Sequence, residues 1–130
     1  MPNSANITLV RRFHESRMAP EVIAETVASD IVWDITPGFP GGGVYQGWDS
    51  VARDFFGPMR PNFEALGSVP EQYFTDGDGH VFVLGQYHPE TKAGNKADVR
   101  FIHLWTIRDG KIAGLVQAAD SHVLQQALNS

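Results

Sequence analysis

Three ionisable side chains stand inside otherwise apolar, β-branched stretches of the chain. They are Asp34 in DIVWDITP (30–37), and His103 and Asp120 in FIHLWTIRDGKIAGLVQAAD (101–120). A carboxyl group among apolar neighbours has its charged form disfavoured by desolvation, which lifts its pKa toward the useful acid–base range. Histidine gives and takes protons near neutral pH and can orient or protonate a carbonyl oxygen. The three together point to proton transfer on a small molecule. Each also has a purely structural reading. Asp120 can cap a short segment that begins at Ser121. His103 can be a core histidine bonded to a helix residue such as His14 or to a backbone group. Asp34 points away from the core if Ile31, Trp33 and Ile35 face it, and into a cavity if Val32, Asp34 and Thr36 do.

What decides between these readings is the hairpin that carries two of the residues. Asp109-Gly110 is a strong two-residue turn signal. Counting outward from it, Ile107 faces Ile112, Trp105 faces Gly114, His103 faces Val116, Phe101 faces Ala118 and Val99 faces Asp120. On this register one face carries Val99, Phe101, His103, Trp105, Ile107, Ile112, Gly114, Val116, Ala118 and Asp120. His103 and Asp120 then share a face, about 13 Å apart along the strand, and look into one cavity from different depths. A β-bulge between them would break the count. The other face mixes aliphatic and hydrogen-bonding groups, which suits a sheet-to-sheet contact between two copies.

The rest of the chain supplies the scaffold. Ser4 to about Met18 reads as a helix capped by Ser4, with an apolar stripe through Ile7, Val10 and His14. Pro20 suits the first turn of a second helix over about 20–28. DIVWDITP reads as a strand, and GFPGGGVYQG (38–47) as a glycine-rich loop flanked by Tyr45 and Trp48, a candidate lid. A third helix runs from Asp49 or Ser50 to about Phe56, where Pro58 terminates it. Two strands surround Asp-Gly-Asp-Gly (76–79), PETKAGNKA (89–97) is a polar loop, and SHVLQQALNS is a short cap or frayed helical end. Helices first and antiparallel strands after give an α+β fold. A curved sheet with helices on one face leaves a cone-shaped hollow, a common ligand site. Trp33, Tyr45, Trp48, Tyr87, Phe101, Trp105 and Val116 are the candidate wall residues for it.

Composition removes several function classes. The chain has 130 residues, which fits a single domain over 1–130, and 42% of them are hydrophobic. A net charge of -5 with no basic stripe excludes a nucleic-acid footprint. No cysteine is present, so disulfides and thiol chemistry are excluded. No histidine pair shows metal-ligand spacing, so no metal and no cofactor are expected. The N-terminus lacks the pattern of a signal peptide and no apolar run reaches membrane-spanning length, so a soluble cytoplasmic protein with no membrane partner is expected.

The pieces GVYQGWDSV and HLWTIRDGKI, with the aspartate that follows, resemble the SnoaL-like polyketide cyclases of the NTF2-like superfamily, which also holds ketosteroid isomerases and limonene epoxide hydrolases. The resemblance covers almost the whole chain. It implies a cone-shaped curved, mostly antiparallel sheet wrapped around N-terminal helices, a deep apolar pocket, and a homodimer through the outer sheet face. It also implies that Asp120 is the general acid–base residue of the cyclases and that Asp34 holds the position of the isomerase base. The oxyanion donors of the isomerases are missing, since their positions hold Val10 and roughly Ile102. Asp98, Arg100 and Asp120 echo the composition of the epoxide hydrolase relay, but the hairpin register places Arg100 on the opposite face from Asp120. The resulting expectation is a cofactor-independent enzyme that binds a small apolar carbonyl compound and catalyses isomerisation, aldol cyclisation or hydration. A non-catalytic ligand-binding module and a dimeric protein-interaction domain are the alternatives.

Overall fold

A computed structural model describes residues 2–129. Its elements run α1 (Pro2–Glu15), α2 (Pro20–Thr26), β1 (Val27–Ile35), β2 (Gly43–Gln46), α3 (Trp48–Ser50), a π-helical turn (Val51–Phe56), α4 (Gly57–Met59), a 3₁₀ turn (Arg60–Asn62), β3 (Phe63–Thr75), β4 (His80–Thr91), β5 (Val99–Arg108), β6 (Lys111–Ala119) and α5 (Ser121–Leu128). The six strands form one sheet in the order β2-β1-β6-β5-β4-β3. Every neighbouring pair is antiparallel except β1 with β6, which is parallel. The fold is α+β, a curved sheet whose concave side is covered by helices.

Three helical boundaries differ from the sequence expectation. α1 begins at Pro2, so Ser4 lies inside its first turns rather than capping it. The third helix does not stop at Pro58. The chain widens into a π-helical turn, in which the Gly57 amide reaches back five residues to the Ala52 carbonyl. Pro58 then opens a fresh turn at a position where its missing N–H costs nothing. The tail forms a true two-turn helix, and Leu124 is fully buried in it.

Alternation sets the two faces of the sheet. Ile31, Trp33 and Ile35 of β1, Val81 and Val83 of β4, and Val99, Phe101, His103 and Trp105 of β5 are all buried on the concave side. From α1, Val10 and Phe13 close over them. Gly85 of β4 permits a close approach, because a Cβ there would strike the Val69 carbonyl and stand 2.7 Å from the Phe101 ring. The Asp-Gly-Asp-Gly hairpin forms as read, with Asp76 Oδ1 accepting from the Asp78 and His80 amides.

The hairpin β5–β6 turns at Asp109-Gly110, both with positive φ, and Ile107 does face Ile112. Beyond that pair the register slips. Thr106 faces Gly114, Trp105 faces Leu115, His103 faces Gln117 and Phe101 faces Ala119. Ala113 is the extra residue of a β-bulge. One inserted residue inverts every later side chain of β6. Leu115 and Gln117 therefore turn inward, and Gly114, Val116 and Ala118 turn outward.

Candidate functional site

The concave side of the sheet holds a cavity of about 660 Å³. Its wall is built from Phe13, His14, Arg17 and Met18 at the end of α1; Trp33, Ile35 and Phe39; Phe55, Phe56 and Met59 of the helical segment; residues 65–69 of β3; and Tyr87, His103, Trp105, Leu115 and Gln117 of the sheet. Most of this wall is aromatic or aliphatic. Among the described residues no aspartate or glutamate lines it.

A chain of hydrogen bonds crosses the wall. The Thr36 amide donates to Gln117 Oε1 at 3.3 Å. Gln117 Nε2 donates to Tyr87 Oη at 3.2 Å. Tyr87 Oη lies 2.6 Å from His103 Nε2. A backbone amide can only donate, so the Gln117 oxygen is turned toward Thr36 and its NH₂ toward Tyr87. Tyr87 Oη accepts from Gln117, and the arrangement in which it donates its own hydrogen to His103 Nε2 satisfies both groups. That arrangement puts the His103 proton on Nδ1. That Nδ1 is buried and has no protein partner. Desolvation, reinforced by the neighbouring His14, holds the His103 pKa well below the usual histidine value. Burial raises the Tyr87 hydroxyl, so it stays protonated.

Three further buried nitrogens without a protein partner lie on wall residues: His14 Nε2, Trp33 Nε1 and Trp105 Nε1. His14 stacks parallel to His103, with ring centroids 5.8 Å apart. Burial pushes the His14 pKa down to about 4. Phe101 stacks on His103 at 4.0 Å. Both imidazoles are therefore neutral at pH 7. An unpartnered buried donor costs free energy.

The structure separates the residues proposed from sequence. His103, Trp33, Tyr87 and Trp105 line the cavity. Phe101 stands behind His103 and Tyr87 as their packing support rather than at the wall. Tyr45 is also off the wall. Its hydroxyl donates to the Gly41 carbonyl at 2.6 Å, and its ring packs on Phe55. Trp48 packs against Phe13, Trp33 and Phe56 away from the cavity. Val116 is 49% exposed on the convex face, because the Ala113 bulge inverted it.

Neither carboxylate is in the cavity. Asp120 is exposed, and its Oδ1 accepts from the Val123 amide at 3.1 Å as the N-cap of α5. The Ala113 bulge turns the later even-numbered residues of β6 outward, and the strand ends at Ala119, just before Asp120. Asp34 alternates with the buried Trp33 and Ile35 and projects from the other side of β1. Asp98 and Arg100 are exposed as well, and Asp98 meets His88 at 2.9 Å. No three His, Cys, Asp or Glu side chains among the described residues come together as a metal ion requires. No helix among them is long and apolar enough to cross a membrane.

Sequence reasoning missed Gln117, Arg17 and Phe39. Phe39 enters the wall from the glycine-rich loop, which is stitched in place. Its Gly42 amide donates to the Phe39 carbonyl, and Gln125 donates to the Gly38 carbonyl. The signal for Gln117 was the spacing of Ile112 and Leu115. Two large aliphatics three apart in a strand cannot share a face unless a residue bulges between them.

Comparisons with known proteins agree with this architecture. The SnoaL-like domain profile matches residues 10–115. Among solved structures, an NTF2-like protein of unknown function from Burkholderia pseudomallei superposes with a TM-score of 0.86 at 22% identity, over 97% of this chain and 98% of its own. TerC co-crystallised with polyporic acid gives a TM-score of 0.81 at 22% identity over 100% of both chains. A protein described as a SnoaL-like polyketide cyclase from Jannaschia sp. CCS1 gives 0.81 at 18% identity, over 98% of this chain and 93% of its own. No curated protein sequence matches the chain.

Proposed function

The chain belongs to the SnoaL-like domain family of the NTF2-like superfamily, and on that premise we propose that it binds a small, largely apolar carbonyl compound in the cavity and polarises it through neutral His103. The observation that carries this reading is the directed chain Thr36–Gln117–Tyr87–His103, which leaves a buried Nδ1–H without a partner in a cavity-wall residue. A neutral imidazole donor held in a dry site stabilises negative charge as it develops on a carbonyl oxygen. Isomerisation, aldol cyclisation and hydration all pass through such charge. The aromatic wall would take the apolar body of the ligand, with Trp33, Tyr87 and Trp105 in contact with it.

The test is binding and turnover of aryl ketones, enones and polyporic acid, the last chosen because a structural neighbour was crystallised with it. A bound carbonyl oxygen should shift the His103 Nδ1–H resonance. For any compound that is turned over, His103→Phe should cut the rate on the order of a hundredfold, with the circular dichroism of the fold unchanged. Unaltered turnover in that variant would overturn the role of His103. A second reading, capture without turnover, is favoured by the absence of a carboxylate among the described wall residues. A ligand recovered chemically unchanged after tight binding would select it.

The convex face belongs to the same proposal as a homodimer surface. One residue from each strand, Val44, Asp34, Val116, Leu104, Phe82 and Phe74, forms a row across the whole sheet. Val44, Val116, Phe82 and Phe74 in that row are exposed, as are Val32 and Ile102 beside it. An apolar band of this kind seats another flat apolar band, and a second copy offers one. Sedimentation should show a dimer that Ile102→Asp converts to a monomer. A monomeric wild-type chain at micromolar concentration would remove this part of the reading.

A further inference from the structure

The cavity mouth carries a cation that the folding of the chain does not use. α1 ends at Glu15, and the next corner is strained. Arg17 and Met18 both have positive φ, 50° and 67°, although neither is glycine. Such a pair costs free energy and persists only where the surroundings enforce it. Here Ser16 enforces it: its hydroxyl donates to the Phe13 carbonyl at 2.6 Å and accepts from the Met18 amide at 3.2 Å. Arg17 and Met18 both stand in the cavity wall, beyond Phe13 and His14 of α1.

Arg17 is the single formally charged side chain of the described cavity wall. It makes no hydrogen bond or ion pair among the described residues. Its surroundings continue outward into a vestibule of about 500 Å³, which shares Arg17, His14 and Ser68 with the cavity and adds Arg11, Glu15, Pro70, Glu71 and Tyr73. Arg11 is engaged there, its guanidinium lying 4.7 Å over the Tyr73 ring. The two glutamates belong to the vestibule and not to the cavity wall. The described cavity wall therefore holds one uncommitted guanidinium and otherwise neutral polar groups only.

We propose that Arg17 is an anion-binding subsite at the cavity mouth, and that the ligand is an acidic carbonyl compound whose carboxylate rests on Arg17 while its apolar body and carbonyl extend inward toward His103. This rests on the carbonyl-binding reading above and adds the charged end of the molecule. A guanidinium meets a carboxylate with two parallel hydrogen bonds. The contact orients an elongated molecule, because the described wall beyond Arg17 holds no second cation.

A matched pair of probes tests it: naphthoylpropionate and its neutral amide naphthoylpropionamide, which share the ketone and the aromatic body. Calorimetry on the full chain should give an acid that binds about tenfold tighter than the amide, the scale of one charge-assisted contact. Arg17→Gln should erase that difference and leave the amide affinity unchanged, while Arg17→Lys should keep part of it. Added salt should weaken the acid selectively. Equal affinity of the two probes for the wild-type chain, or equal weakening of both in Arg17→Gln, would overturn the subsite and leave the carbonyl pocket standing. Failure of both probes to bind would overturn the pocket reading as well. Arg17 is exposed, so its substitution leaves the core intact.

Discussion

The two faces of the one sheet solve opposite problems. On the concave face, polar atoms are scarce and buried: His103, Tyr87 and Gln117 hold one another, while four ring nitrogens of wall residues have no protein partner. On the convex face apolar side chains stand in water, with Val44 and Phe74 more than half exposed. The first face spends burial on orienting a few donors, and the second leaves burial still to be gained. The same strands make both, since successive residues point to opposite sides. A one-residue change in register therefore exchanges a binding wall for an association surface.

Truncation on either side breaks the comparison most sharply. Trp105 is fully buried and packs on Phe13, Trp33 and His103. Trp105→Ala should lower stability by about 3–5 kcal/mol in denaturant melts. Val116→Ala, on the other face of the neighbouring strand, should change monomer stability by about 0.5 kcal/mol or less. Similar losses at both sites would mean that the convex face is as buried as the concave one.

Mild acid should weaken the concave face. His14 has its pKa pushed down to about 4 in the folded chain against an ordinary 6.5, and that of His103 is lowered in the same direction. Between these values the unfolded chain binds more protons than the folded one, so stability falls as pH falls. The His14 contribution is complete above about pH 6.5 and is lost progressively toward pH 4, amounting to roughly 3 kcal/mol by linkage. His14→Phe should flatten that part of the pH–stability curve. A curve of unchanged slope would show that His14 is solvated in the folded state.

The smallest effect belongs to Asp120. Asparagine caps a helix as well as aspartate does, so Asp120→Asn should change stability by only a few tenths of a kcal/mol, and Asp120→Ala by about 1 kcal/mol. Neither should alter ligand affinity. A loss of binding in Asp120→Asn with stability intact would return the carboxylate to the site.

Much of the fold was legible because it rests on patterns with a fixed period. The strands of the second half, the turns at Asp-Gly, and the inward face of β5 through Phe101, His103 and Trp105 all follow from alternation. The site was legible only in part. Everything proposed on β6 beyond Ile112 depended on an unbroken count, and the Ala113 bulge put Gln117 where Val116 had been expected. Asp120 fell outside the cavity for a second reason, since the strand gave way to a helix that needed a cap. Arg17 does continue the helical spacing of Val10, Phe13 and His14, but an arginine near a helix end reads as a solvated face rather than as part of a cavity wall. Tyr45 and Trp48 show the limit of composition. Aromatic residues next to a glycine-rich loop served packing and loop closure instead of the wall.

The protein has three tryptophans, and all of them touch. Trp33 lies 5.7 Å from Trp105 and 6.0 Å from Trp48, ring to ring, at angles of 68° and 76°. At such separations the indoles absorb as a coupled unit rather than as three independent chromophores. Two of the three also stand in the cavity wall with their ring nitrogens unpartnered. The near-ultraviolet optical activity of the chain is thus a direct report from the cavity, and occupancy can be read there with no label attached.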